Sequence, residues 1–314
     1  MEEQAKPTVS VVMITYGHEA FIRQAIEGVL MQECDFPVEL IVADDCSPDN
    51  TPAVMQEILT THPRASWVRY VRHEKNKGMM PNFMWALQQA NGKYIALCDG
   101  DDFWTDPHKL QKQVNYLEKN QNIAVVCHDA MVVDRNGKEI KESAYAFSDH
   151  QRDLSPEELM MCKCNVLTQT MCFRNNFSKI PKEMKKAFFG DTFLTSILGE
   201  YGGSKYFPNK MAAYRKSGIG VYSGATISNR LGHSIQTYKQ LSKYYQEKKN
   251  QKLTKHFLNA AGSQNRQHIY YSIKEKNKKQ LFIALRENFL LHKSHSDKQK
   301  MFTLIKIFLK NIFK

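Results

Sequence analysis

Cysteine is scarce and scattered in this 314-residue chain. There are seven, an odd number at no spacing that frames a disulfide scaffold, which points to a reducing compartment. Cys162 and Cys164 have no second Cys or His pair at zinc spacing and read as structural. The eleven histidines never form His-Glu-x-x-His. A Walker-type glycine loop is missing as well, since Tyr16-Gly17-His18 follows the first apolar run. No stretch reaches the roughly 18 uncharged apolar residues of a spanning helix. The polar, acidic start from Met1 to Pro7 lacks the basic-then-apolar order of a signal peptide. These absences lead us to expect a cytoplasmic protein, with peripheral attachment to the inner face of the plasma membrane as the membrane option. Internal repeats are absent, and the only biased tract is Lys274 to Lys279. With 42% apolar and 24% charged residues, disordered, collagenous and mucin-like classes are excluded.

The net charge of +12 is unevenly placed. Residues 251–314 hold 14 Lys and Arg against 3 Asp and Glu, so residues 1–250 are nearly neutral. A basic end implies an acidic partner and says little about the chemistry of the body.

Short apolar runs alternate with amphipathic segments over the first 130 residues. Val9 to Ile14, Val38 to Ala43, Trp67 to Val71, Tyr94 to Cys98 and Ile123 to Cys127 read as strands. Between them, Ala20 to Leu30, a segment opened by Asn50-Thr51-Pro52, Pro81 to Ala90 and Lys109 to Lys119 read as helices. This alternation predicts an α/β layer with a largely parallel sheet. Met131 to Ile140 reads as a hairpin around Asn136-Gly137, and a short helix starts at Ser155-Pro156. Thr168 to Arg174 reads as a strand, and Asp191 to Tyr201 as a helix ended by Gly202-Gly203. After about residue 224 the chain becomes polar, basic and helical, so we expect two parts, 1–224 and 225–314.

Two acidic clusters stand where apolar strands end. Asp44-Asp45 follows Glu39 to Ala43, and Asp99-Gly100-Asp101-Asp102 follows Tyr94 to Cys98. Open α/β sheets bind ligands outside the carboxyl ends of their strands. Crowded carboxylates repel, and a hard divalent cation, Mg²⁺ or Mn²⁺, relieves that cost. Gly100 lets the backbone turn so that its acidic neighbours converge. An acidic surface loop capping the helix after Pro107 is the plain alternative. Two such clusters in one α/β unit favour a metal-nucleotide site.

At these residues the sequence resembles the family 2 glycosyltransferases. Val9 to Tyr16 resembles their opening strand, and Val42 to Thr51 their Asp-Asp-x-Ser-x-Asp-x-Thr loop. Asn76-Lys77-Gly78, followed by Asn82, resembles their Asn-x-Gly segment, and Leu97 to Trp104 their Asp-x-Asp metal motif. Gly190-Asp191 resembles the acidic motif that supplies a catalytic base. Ala213 to Ser223 resembles the Tyr-Arg-x-x-x-Gly-Gly-Val-Trp-Ser segment that closes the site. The ordered set covers residues 8 to about 225.

The resemblance implies a GT-A-type fold: a Rossmann-like mixed, mainly parallel sheet flanked by helices, here with a helical C-terminal extension. It implies an inverting, metal-assisted transfer of a sugar from a nucleoside diphosphate to an acceptor hydroxyl. UDP is the family tendency for the donor. The acceptor would be a glycan or lipid-linked intermediate of cell-surface polysaccharide. Tyr16 would lie against the base, Asp45 would accept a hydrogen bond from it, and Asp44 would sit nearby. Asp99 would contact ribose, Asp101 would hold the metal with Asp102 as second ligand, and Asp191 would be the general base. Thr15, Asn76, Asn82 and Arg215 would complete the donor contacts. The plain alternatives are a core role for Tyr16, an Asx-turn to Ser47 for Asp45 and a helix cap for Asp191. The sequence departs from the pattern at Ser217, where many relatives have His, at Ile219 for Gly, at Tyr222 for Trp, and at Gly190 for Glu.

Residues 301–314 place Phe302, Ile305, Phe308, Leu309, Ile312 and Phe313 on one helical face, with Lys306, Lys310 and Lys314 recurring opposite. That pattern suits an interfacial helix on anionic lipid, or a helix docking on protein. Two other functional readings stay open. A sugar-phosphate nucleotidyltransferase normally opens with a glycine-rich basic loop, which Tyr16-Gly17-His18 is not. A non-catalytic basic adaptor for membrane or nucleic acid would leave the ordered acidic motifs unexplained, and no nucleic-acid partner is expected.

Overall fold

The computed structural model describes residues 6–145, 148–176, 179–218 and 224–291. They divide into two compact units. One comprises the chain to Ile180 together with Gly190–Gly218, and the other Pro181–Phe189 with the described part of Ile219–Lys314.

The first unit begins with four parallel strands. They are β1 (Val9–Thr15), β2 (Val38–Asp44), β3 (Val68–Arg72) and β4 (Tyr94–Leu97). The near-continuous apolar runs of β1, β2 and β4 fit strands buried on both faces, whereas β3, at the sheet edge, exposes Arg69 and Arg72. Helices α1 (Ile22–Leu30), α2 (Thr51–Thr61) and α3 (Met79–Gln89) are the crossovers. Next come β5 (Phe103–Trp104), α4 (Lys109–Lys119), β6 (Ile123–Asp134), β7 (Glu139–Lys141), α5 (Pro156–Met160), β8 (Cys172–Arg174), α6 (Gly190–Leu198) and β9 (Gly203–Lys216). The sheet order is β3-β2-β1-β4-β8-β6-β9-β5, with β7 on β6. Beyond β4, β8 is antiparallel to both neighbours, whereas β6 and β9 form a long parallel ladder. Val11, Met13, Ile26, Leu40, Tyr94 and Trp104 lie in the main core.

Several local readings change. Trp67 lies in a short 3-10 turn ahead of β3, and Thr168–Thr170 is likewise 3-10, leaving three residues of strand. Asn50 gives α2 no side-chain cap; Asp49 accepts from the Thr51 amide and hydroxyl instead. Gly203 does not end the preceding helix but opens β9. That 14-residue strand escaped the sequence reading because Pro208-Asn209 interrupts it. The two residues bulge out between Phe207, paired with His128, and Lys210, paired with Asp129. Ser155 makes the expected cap of α5, in a full capping box with Glu158.

The second unit is helical: α7 (Ile227–Glu247), α8 (Gln251–Lys274) and α9 (Lys278–Leu291). Thr226 caps α7 and Asn250 caps α8. Tyr245 stacks parallel to Phe257 at 5.8 Å. The segment Pro181–Phe189 joins this unit through Phe188, stacked on His233 at 3.4 Å. The Phe188 and Phe189 amides also donate to the Thr237 hydroxyl. No helix among the described residues is long and apolar enough to cross a membrane. The amphipathic run 301–314 lies outside the described residues.

Candidate active site

The register of the parallel strands brings the acidic clusters together. Thr15, the last residue of β1, pairs with Asp44, the last of β2, and Leu97 of β4 pairs with Val12. Backbone bonds extend these ladders into the loops: the Asp45 amide donates to the Thr15 carbonyl and the Gly100 amide to that of Ile14. Both clusters therefore stand at the carboxyl edge of the two strands that flank β1, where an open sheet leaves room for a ligand.

The two aspartates after β2 have separate tasks. Asp44, fully buried, accepts from the Ser47 amide at 2.7 Å and from the Tyr70 hydroxyl at 2.7 Å, with Arg72 at 3.9 Å. The bond to the Ser47 amide thus comes from Asp44, three residues back, and not from an Asx-turn of Asp45. Asp45 accepts from the Lys77 amide at 2.7 Å and the Gly78 amide at 2.8 Å, one to each oxygen, and so holds the loop after β3. Asn76 tightens that loop by accepting from the Gly78 amide. Asn82 is 1% exposed, and both ends of its amide are engaged, by the Ala43 carbonyl and by His73. It therefore braces the loop from behind. Tyr16 is 49% exposed at the rim, which removes the core reading.

The turn after β4 carries the second cluster. A Cβ on Gly100 would stand 2.8 Å from the Thr15 hydroxyl oxygen and 2.9 Å from His18 Nδ1, so only glycine fits there. Those two atoms are buried and have no hydrogen-bond partner among the described residues. His18 is a residue the sequence reading missed; its position just past β1 was the available signal. Asp99 and Asp101 keep partial exposure, whereas Asp102 is turned inward, its Oδ1 accepting from the Arg215 amide at 2.8 Å. Burial, then the charges of Asp101 and Asp191, pushes the Asp99 carboxyl up to about 8. Burial and Asp101 raise Asp102 well above the ordinary carboxylate range.

Arg215 is a clamp rather than an open cation. Its Nε donates to the Asp101 carbonyl at 2.9 Å, Nη1 to the carbonyls of Asp134 and Arg135, and Nη2 to Gln24 Oε1 at 2.5 Å. The rings of Phe21 and Phe103 lie 4.9 and 5.2 Å from its guanidinium carbon. It is 4% exposed and ties β9 to the acidic turn. Two residues on, the Ser217 hydroxyl is buried without a hydrogen-bond partner among the described residues. Ile219, Tyr222 and Ser223 of the closing segment lie outside the described residues.

Asp191 stands in the first turn of α6. Gly190 lets that turn approach α3, since a Cβ there would meet the Met80 sulfur at 2.8 Å. Asp191 Oδ1 accepts from the amide of its own neighbour Thr192 at 2.6 Å, which is not the N-cap pattern. Burial raises its pKa, against the opposing Thr192 hydrogen bonds, and its charge is felt by Asp99.

Among the described residues no three His, Cys, Asp or Glu side chains are disposed to hold a metal alone. Mg²⁺ and Mn²⁺ need fewer, because one or two carboxylates and substrate phosphates commonly complete their shell. The crowded acids after β4 fit such an ion, which would offset the burial and, after it, the like-charge repulsion that raise Asp99 and Asp102. Behind them lies Lys109, fully buried, its Nζ 3.9 Å above the Trp104 ring and 2.8 Å from Gln113 Oε1.

A family model described as glycosyl transferase family 2 matches residues 10–177. An uncharacterised protein of Mycobacterium tuberculosis is 34% identical over 224 residues, which is 71% of this chain and 62% of that protein. This chain therefore spans about three fifths of that relative's length. Among solved structures, S. aureus TarS 1-349 in complex with UDP-GlcNAc superposes with a TM-score of 0.58 at 17% identity. The match covers 88% of this chain and 79% of that one. The mannosyltransferase PcManGT from Pyrobaculum calidifontis, in complex with GDP-Man and Mn²⁺, gives 0.57 at 16%, covering 98% and 81%. At these identities the likeness establishes the GT-A fold.

Proposed function

Since the chain belongs to glycosyl transferase family 2, we propose that it transfers a sugar from a nucleoside diphosphate to an acceptor hydroxyl with inversion. One observation supports the reading: Asp191 opens α6 where Gly190 packs on Met80 and Phe83 of α3, and its charge, after burial and Asp101, contributes to raising Asp99 in the turn after β4. Along the same edge Asp44 fixes the turn after β2 and Asp45 holds the loop after β3, between which a base would rest. Tyr16 at the rim offers that base a stacking face, and Asp99 takes the ribose side.

Asp101, with Asp102 behind it, is the residue set for a divalent cation, Mg²⁺ or Mn²⁺. When bound, such an ion supplies Lewis-acid stabilisation of the departing diphosphate. Asp191 takes the proton of the acceptor hydroxyl as that oxygen bonds to the anomeric carbon. Burial makes its carboxylate a stronger base than an exposed one, and its first-turn position holds the charge at a helix N-terminus. Attack from the face opposite the diphosphate inverts the anomeric centre. The proposed donor is a UDP-sugar carrying a hexosyl or N-acetylhexosaminyl group, and the acceptor a glycan or lipid-linked intermediate of cell-surface polysaccharide. The TarS and PcManGT complexes support a nucleotide-sugar donor.

The test is Asp191→Asn. Loss of a general base costs typically 10²–10⁴ in rate. Transfer should fall by that order while nucleotide affinity changes less than threefold. Lost nucleotide binding together with lost transfer would make Asp191 a structural residue instead.

A further inference from the structure

We propose that the outer face of α8 is a docking surface for an anionic lipid bilayer. Lys255, Leu258, Arg266, Tyr270, Ile273 and Lys274 fall within one half of the helix circumference at 3.6 residues per turn. All six are exposed, including large apolar groups that a helix of a globular unit normally turns inward: Tyr270 is 60% and Ile273 42% exposed. The adjoining α9 adds Phe282, 71% exposed, beside Lys278 and Lys279.

The face carries no acid. Only two acidic residues occur in 251–291, and both are engaged elsewhere. Glu275 accepts from the Ile227 amide and the Ser228 hydroxyl, and Glu287 accepts from Lys239. The positive field of the face is therefore uncompensated, and its occupant must be acidic. Residues 292–314 of this chain are poor candidates, because they carry six lysines against one aspartate. A second copy offers only a near-neutral body. A nucleic acid would be served by cations and aromatic rings, yet the aliphatic Leu258 and Ile273 have no base to stack on. Lysine and arginine stems among aliphatic and aromatic side chains suit the boundary between anionic headgroups and acyl chains. The surface stands independently of the sugar-donor site and of the run 301–314.

The test uses the full chain and co-sedimentation with vesicles of phosphatidylcholine, with and without 30 mole per cent phosphatidylglycerol. Binding is expected only with phosphatidylglycerol and should weaken with salt. Each basic residue near an anionic surface is worth about fivefold in partitioning, so Lys255→Gln with Arg266→Gln should weaken binding on the order of thirtyfold. Tyr270→Ser with Ile273→Ser should weaken it at unchanged charge. All four sites are exposed, so an unchanged melting temperature verifies the fold. Equal binding to neutral vesicles, no binding to either, or full binding by both double variants would overturn the proposal. So would single-stranded RNA that binds the wild type more tightly than the anionic vesicles do.

Discussion

Lys109 should make this protein more stable in mildly alkaline solution, and Lys109→Met should remove that gain. The ammonium is fully buried, with the Trp104 face and Gln113 as partners and, among the described residues, no carboxylate in ion-pair range. Burial lowers its pKa to about 8 from an ordinary 10.5. A depressed lysine binds more protons unfolded than folded, so its contribution grows with pH between those two values and is lost as pH falls through 8. At about 1.4 kcal/mol per unit, the full window is worth about 3 kcal/mol, and the part between pH 7 and pH 10 about 2.5 kcal/mol. The assay is urea unfolding of wild type and Lys109→Met at pH 7, 8, 9 and 10. Other titrating groups, including the buried thiols, cancel in the difference between the two proteins. That difference should shift by about 2.5 kcal/mol in favour of the wild type as pH rises from 7 to 10. At pH 7 the variant should be near neutral or stabilised, because removing a buried charge offsets the lost Gln113 bond and ring contact. Parallel stability curves across the range would refute the reasoning.

Two further perturbations address the donor edge. Asp45→Asn turns an amide N–H toward the Lys77 or Gly78 amide, and should cost about 2–4 kcal/mol in chemical denaturation while weakening nucleotide affinity. A loss below 0.5 kcal/mol would contradict a loop-holding role. Gly100→Ala forces a methyl against Thr15 and His18, and should lower nucleotide affinity at least tenfold with a melting temperature loss of a few degrees. Unchanged calorimetric affinity would show that the turn does not set the site.

The parallel half of the fold was legible because its buried strands are compact apolar runs and the helices after them keep helical spacing, as in Val38–Asp44 and Ile22–Leu30. The mixed half was not. Phe103–Trp104 and Cys172–Arg174 are too short for a period to register, and Pro208-Asn209 disguises β9. At the site, residue types gave the clusters but not the direction of each side chain. Asp45, Asn82, Asp102 and Arg215 are drawn into bonds with backbone groups distant in the sequence, which only the tertiary fold supplies. His18 escaped because one histidine after a strand carries no pattern of its own.

The most direct measurement is thermal stability against UDP, GDP, CMP and dTDP, each with and without Mn²⁺, for wild type and Asp101→Asn. A ligand that binds only the native state stabilises it by about 2.7 kcal/mol at a hundred times its Kd, and so raises the melting temperature by mass action. The account predicts a Mn²⁺-dependent rise with one nucleoside diphosphate, UDP foremost, that Asp101→Asn abolishes. A rise of equal size in Asp101→Asn, or none with any nucleotide, would contradict it.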